Sequence, residues 1–269
     1  MISIQRLNMD NSWRIDFDGT PFIVDPWLLG KEVDFFSWFN TQWHRTKPVS
    51  PREVPPFEFV LITQKYPDHF HKETLSQLRP EKVIIPNSLI RSCRKLLPGA
   101  DTLIFNEGLQ KVFGTDLNIH FLSTSRRIDP IYDALIVENG RRSLFLASHG
   151  FTPNAAQKAL VKALPPVELL ITPLNLYRLP ALLGGDVSPG MESVRKLVND
   201  INPSRVVATH DEDKHARGLV SRFARVTRAP SPEELSDPGL LGNRYLHVPD
   251  YRPVRISVSD LNISPSTSE

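Results

Sequence analysis

Proline sets the tightest limit on what this chain can become. Of 269 residues 24 are Pro, against roughly 13 at an average usage of about 5%, and they lie between short apolar runs instead of in one cluster. A proline ring removes a backbone donor and clashes with the preceding helical turn, so many tight connections are required. In the first half the runs read as strands, at 3–7, 12–17, 21–24, 59–63, 82–85, 102–105, 119–122, 133–138 and 143–147. Asp18-Gly19 and Asn139-Gly140, each flanked by apolar residues, predict hairpins, and Pro98-Gly99 marks a further turn. Helical spacing predicts helices over 72–78, 88–96, 154–164, 190–201 and 215–225; in the third, Ala155, Ala159, Leu160 and Ala163 form a stripe. The last third repeats one unit, a strand at 169–172 or 205–209 followed by a loop and a helix. Strand-rich and alternating stretches together predict an α/β sandwich with helices outside.

The chain can fill such a sandwich. Hydrophobic residues make up 40% and charged residues 23%, which excludes disorder, collagen-like repeats and long coiled coils. At this length roughly 70 to 75% of the extended-chain surface is buried on folding, so the core needs no staples. A net charge of +2 falls far short of the basic excess of a protein that neutralises many phosphates, and no nucleic-acid partner is expected. Cys93 is alone and cannot form an intrachain disulfide, and residues 1–10 lack a basic end followed by an apolar stretch, so the expected location is cytoplasmic. No window of about 18 apolar residues predicts a membrane span. One domain is expected over 1–260, with a flexible tail at 261–269.

Residues able to do chemistry collect where strands stop. After the apolar run ending at Ile62 come Thr63, Gln64, Lys65, Tyr66, Pro67, Asp68, His69, Phe70 and His71. Loops leaving strand ends are where rigid scaffolds hold ligands and catalysts, and a carboxylate with two imidazoles suits a divalent ion such as zinc. Asp68 capping a helix that starts near His69 is the plain alternative. Two further strand ends carry histidine, His149 after 144–147 and His210 after 206–209. Three such ends are what a metal site assembled across one sheet edge requires.

On these residues the sequence resembles the metallo-β-lactamase superfamily, over roughly residues 1–225. The resemblance implies an αββα four-layer sandwich of two mixed β-sheets with a metal site at one edge. The superfamily's His-x-His-x-Asp-His motif reads here Gln64, Lys65, Tyr66, Pro67, Asp68, His69. Its first two ligands are gone, and the stretch 123–127, where a third would fall, has no histidine. Asp68, His69 and His210 match the second metal position, and His149 stands approximately where the bridging aspartate would. The implied centre is at most mononuclear, with Zn favoured over Fe or Mn, or no metal at all.

Neighbouring residues then take expected roles. Tyr66 occupies a ligand position and could donate to an oxyanion or shuttle a proton, or merely fill the vacated volume; Gln64 could orient substrate or close a hydrogen bond. His71 and Asp25 are expected to support the ligands from behind. The run from Asp211 through Asp213 to His215 reads as a solvated helix start. In the insert at 28–56, Phe35, Trp38, Phe39 and Trp43 fall at helical i, i+3, i+4 and i+8 spacing and would either pack on the sandwich or wall an apolar pocket. Tyr177, Arg178 and the flexible Gly184-Gly185 loop could form a second wall, with Arg178 or the Arg126-Arg127 pair holding an anion. The expected activity is hydrolysis of a small ester, lactone, amide or phosphoester. The alternatives are a catalytically degenerate binder of a small molecule or protein, and a metal-independent lyase or isomerase using Tyr66 and His69 as acid and base. Signatures of P-loop, dinucleotide-fold, serine-elbow and Cys-x-x-Cys proteins are missing.

Overall fold

A computed structural model describes residues 1–105, 108–124, 133–183, 185–212 and 214–256. Arg126, Arg127, Asp213, Gly184 and the tail at 261–269 lie outside the described residues. The first half supplies β1 (Ile2–Arg6), β2 (Trp13–Phe17), β3 (Thr20–Val24), β4 (Lys31–Asp34), β5 (Asn40–Trp43), β6 (Phe59–Leu61), α1 (Lys72–Leu78), β7 (Lys82–Pro86), α2 (Ile90–Leu96), β8 (Asp101–Phe105), β9 (Gly108–Lys111) and β10 (Asn118–Leu122). The second half supplies β11 (Ala134–Glu138), β12 (Ser143–Leu146), α3 (Ala155–Ala163), β13 (Val167–Thr172), β14 (Leu176–Arg178), β15 (Asp186–Pro189), α4 (Gly190–Ile201), β16 (Arg205–Ala208), β17 (His215–Arg217), α5 (Leu219–Phe223), β18 (Arg225–Thr227), α6 (Pro232–Leu235) and β19 (Val254–Ile256).

Two mixed sheets face each other. The first runs β19-β1-β2-β3-β6-β7-β8 and the second β10-β11-β12-β13-β16, with β3, β6, β7 and β8 mutually parallel in one and β12, β13 and β16 in the other. Period-two alternation sorts their side chains. Phe22, Val24, Ile84, Leu144, Leu146, Leu169 and Ile171 point between the sheets. Ile23, Val83 and Ile85 turn outward to Leu75, Leu89 and Cys93 beside α1 and α2. Phe145 and Leu170 turn outward to Val161 of α3 and Val194, Leu197 and Ile201 of α4. The result is the expected αββα four-layer sandwich, closed by β19 pairing with β1 so that distant ends of the chain share one sheet.

The hairpins at Asp18-Gly19 and Asn139-Gly140 join β2 to β3 and β11 to β12. The predicted helices over 72–78 and 190–201 coincide with α1 and α4, and that over 154–164 forms α3, closed by a reciprocal Asn154 and Gln157 cap.

Two helix expectations are corrected. The aromatic insert is a hairpin: β4 pairs with β5, and β5 with β17. Its tip at 35–39 turns with Phe35 at φ +57°, closed by Asn40 Nδ2 donating to Asp34 Oδ2 at 2.8 Å. Helical spacing of aromatics was coincidental there, because the short loop bonds and the edge of β17 determine the backbone. The predicted helix over 215–225 is likewise broken into β17, α5 and β18. Gly218, at φ +121°, makes the break, and a Cβ on it would meet Phe39 O at 2.6 Å.

Candidate metal centre

All the polar strand ends singled out in the sequence emerge at one edge, the carboxyl ends of the parallel strands in both sheets. Asp25 follows β3 at φ +46°, a strained backbone position for a residue with a side chain. It is pinned by its N–H to Leu61 O at 3.0 Å and by Ser12 Oγ donating to its carbonyl at 2.7 Å. Its carboxylate accepts from Thr63 N and Thr63 Oγ at 2.7 and 2.6 Å and meets His69 Nδ1 at 2.7 Å. That leaves His69 Nε2 directed at His149 Nε2, 3.1 Å away. His210, after β16, sits at φ +50° with its N–H on Asp10 O at 2.9 Å.

The three imidazoles converge. Ring centroids lie 5.3 Å apart for His69 and His149, 5.2 Å for His69 and His210, and 4.6 Å for His149 and His210, with one ring nitrogen from each within 4.8 Å of the others. Asp68 Oδ2 lies 3.6 Å from His69 Nε2. Burial favours neutral His69, but the Asp68 and Asp25 charges outweigh it and raise its pKa to about 9. His149 moves the other way, driven well below the usual range by burial and then by the His210 and His69 charges.

A second polar ring surrounds this cluster, and sequence reasoning missed it. Asp10, fully buried, accepts from Lys214 Nζ at 2.6 Å and lies 3.6 Å from His210 Nδ1. Burial would raise the Asp10 carboxyl, yet the Lys214 and His210 charges hold it far below the usual carboxylate range. Glu32 and Asp34 enter from β4; burial, then Asp34 and Asp68, push Glu32 up to about 9, while burial, then Asp68, push Asp34 to about 6. The turn presenting Asp10 is built by Asn8, whose Oδ1 accepts from the N–H groups of Asp10, Asn11 and Ser12 at 2.9, 2.8 and 2.9 Å. The signal available was Asn8 to Asn11, a turn-rich run between two strands.

Other expected residues fall elsewhere. Gln64 is buried at the strand end and Tyr66 is half-buried, its carbonyl accepting from His69 N and Phe70 N at 3.0 and 2.8 Å. His71 caps α1, its Nδ1 on Thr74 Oγ at 2.9 Å, and its Nε2 meets Lys31 O of β4 at 3.3 Å. Arg178 is exposed and paired with Asp186 at 2.5 and 3.2 Å. Tyr177 is half-buried, and burial raises its hydroxyl pKa. Trp38 is 64% exposed and Phe39 half-buried. The loop from Asp211 is a latch and no helix start: Arg6, 2% exposed, grips Asp211 at 2.9 and 3.1 Å, and Glu212 accepts from His44 Nδ1 at 2.5 Å.

A four-layer sandwich with histidines and carboxylates clustered on its open edge defines the metallo-β-lactamase fold class. The profile of the β-lactamase superfamily domain matches residues 7–210, and the chain belongs to that superfamily. No curated protein sequence matches it significantly. Among similar solved structures, the isothiocyanate hydrolase from Delia radicum gut bacteria superposes with a TM-score of 0.68 at 14% identity, over 96% of this chain and 100% of that one. A possible metal-dependent hydrolase from Veillonella parvula gives 0.67 at 14%, over 94% and 98%. A metallo hydrolase from the hyperthermophilic archaeon Ignicoccus hospitalis gives 0.63 at 14%, over 94% and 97%. These identities express a shared fold.

Proposed function

We infer that the protein is a metal-dependent hydrolase with a mononuclear centre held by His69, His149, His210 and Asp68, acting on a small ester, lactone, amide or phosphoester. One observation carries the reading: three imidazoles from three distant strand ends face one another, and the buried Nε2 of His210 has no hydrogen-bond partner among the described residues. Bonds of about 2.0–2.1 Å to zinc place tetrahedral nitrogen ligands about 3.3 Å apart, close to the 3.1 Å between His69 Nε2 and His149 Nε2. The donor set therefore fits a divalent ion, with zinc first and iron or manganese as alternatives.

A cation held there would supply Lewis acidity and an acidified water. Asp25 fixes the His69 ring by its Nδ1, and Asp10, held by Lys214, puts its carboxylate charge 3.6 Å from His210 Nδ1. Asp68, 18% exposed, offers a carboxylate on the open side, where it could ligate and accept a proton. Tyr66, Gln64 and Tyr177 are the candidates for orienting substrate. Elemental analysis of the purified protein, paired with turnover of an ester, lactone, amide and phosphoester panel before and after chelation, tests this. We expect about one ion per chain and activity that chelator removes and the ion restores. Activity surviving complete metal removal would point instead to acid and base catalysis by side chains alone.

A further inference from the structure

We propose that the aromatic hairpin tip and the basic segment packed against it form a docking surface for an anionic lipid bilayer. This does not rest on the metal centre. Phe35, Phe36 and Trp38 are 78, 60 and 64% exposed. They are not scattered singly: Phe36 and Trp38 stack at 5.7 Å, and Phe39 meets Phe35 and Trp38 edge-on at 5.4 and 6.1 Å. An aromatic cluster that packs on itself in solvent, outside any core, is a surface held for a partner.

The tip is fixed outward. Leu219 N and Val220 N donate to the carbonyls of Trp38 and Phe39, each at 3.0 Å, and Trp43 stacks on His215 at 5.7 Å. These contacts join it to β17 and α5, and the stretch 215–227 that they open contains three Arg residues and no Asp or Glu. Within that stretch Arg217, Arg222 and Arg225 are exposed and make no ion pair among the described residues, beside exposed Phe223 and Val226. Trp and Phe with flanking Arg are the side chains that settle at a headgroup boundary. A second copy is the poorer occupant, because a two-fold interface lays each patch on itself and sets arginine against arginine.

Sedimentation of the full chain with vesicles of phosphatidylcholine, with and without about one third phosphatidylserine, tests the proposal. Binding is expected only to the anionic vesicles and is expected to weaken with salt. Phe36→Ser with Trp38→Ser should reduce it at least tenfold, and Arg217→Gln, Arg222→Gln and Arg225→Gln by about fivefold each, with melting temperatures unchanged. Equal binding to neutral vesicles, no binding, or binding indifferent to these substitutions overturns it. So does a dimer in light scattering that the aromatic substitutions dissolve, or preferential capture of a single-stranded oligonucleotide over vesicles.

Discussion

Asp25 and Asp10 do for two histidines what no sequence motif announces. Each is a buried carboxylate facing a ring nitrogen that is not the one directed into the centre. If Asp25 serves only to orient His69, Asp25→Ala should lower affinity for the divalent ion by about 10–100-fold while leaving the fold; calorimetric titration with zinc reads this directly. Asp68→Ala combined with His210→Ala should remove bound metal altogether, as measured by elemental analysis. Asp68, His69 and His210 stand out in the sequence because their residue types sit at strand ends and match a known motif. Asp10 and Lys214 were not, because their roles arise from contact between positions 204 apart in sequence. Spacing puts His71 two residues from His69, and its ring joins the start of α1 to β4.

Elements were legible where both the apolar period and the turn chemistry were local. Most strands of the two large sheets, and α1, α3 and α4, follow their sequence patterns closely. The small sheet of β17, β5 and β4 was not legible, since its strands carry few buried apolar residues and are held by neighbours distant in sequence. Because the hairpin tip lies outside the core, Trp38→Ser should change stability by no more than about 0.5 kcal/mol in urea unfolding; a loss above about 2 kcal/mol would place Trp38 in a packed core. Gly150 behaves oppositely. It holds φ +87°, and a Cβ would fall 2.6 Å from Pro189 Cγ, so Gly150→Ala should cost about 1–3 kcal/mol and, by displacing its neighbour His149, weaken metal binding in the same titration.

At the scale of the whole molecule the metal-free centre is a store of protons. The folded protein raises His69 from 6.5 to about 9 and Glu32 from 4.5 to about 9, so between pH 6.5 and 9 it binds these protons more tightly than the unfolded chain. Stability from both groups is present at the acid end of that window and is lost as pH rises through about 9. The melting temperature of the stripped protein should therefore fall from pH 6.5 to 9, and a saturating divalent ion should raise it more at pH 8.5 than at pH 6.5, because it replaces protons on ligands that must be deprotonated to bind. A melting temperature that climbs over this range, with no larger gain from the ion at alkaline pH, would contradict that linkage. The most direct measurement is anomalous scattering from crystals grown with zinc, recorded on both sides of its absorption edge. One peak is expected about 2.0–2.2 Å from the Nε2 atoms of His69, His149 and His210, with the Asp68 carboxylate alongside; no peak there, or a peak bound by other residues, would contradict a centre held by these four side chains.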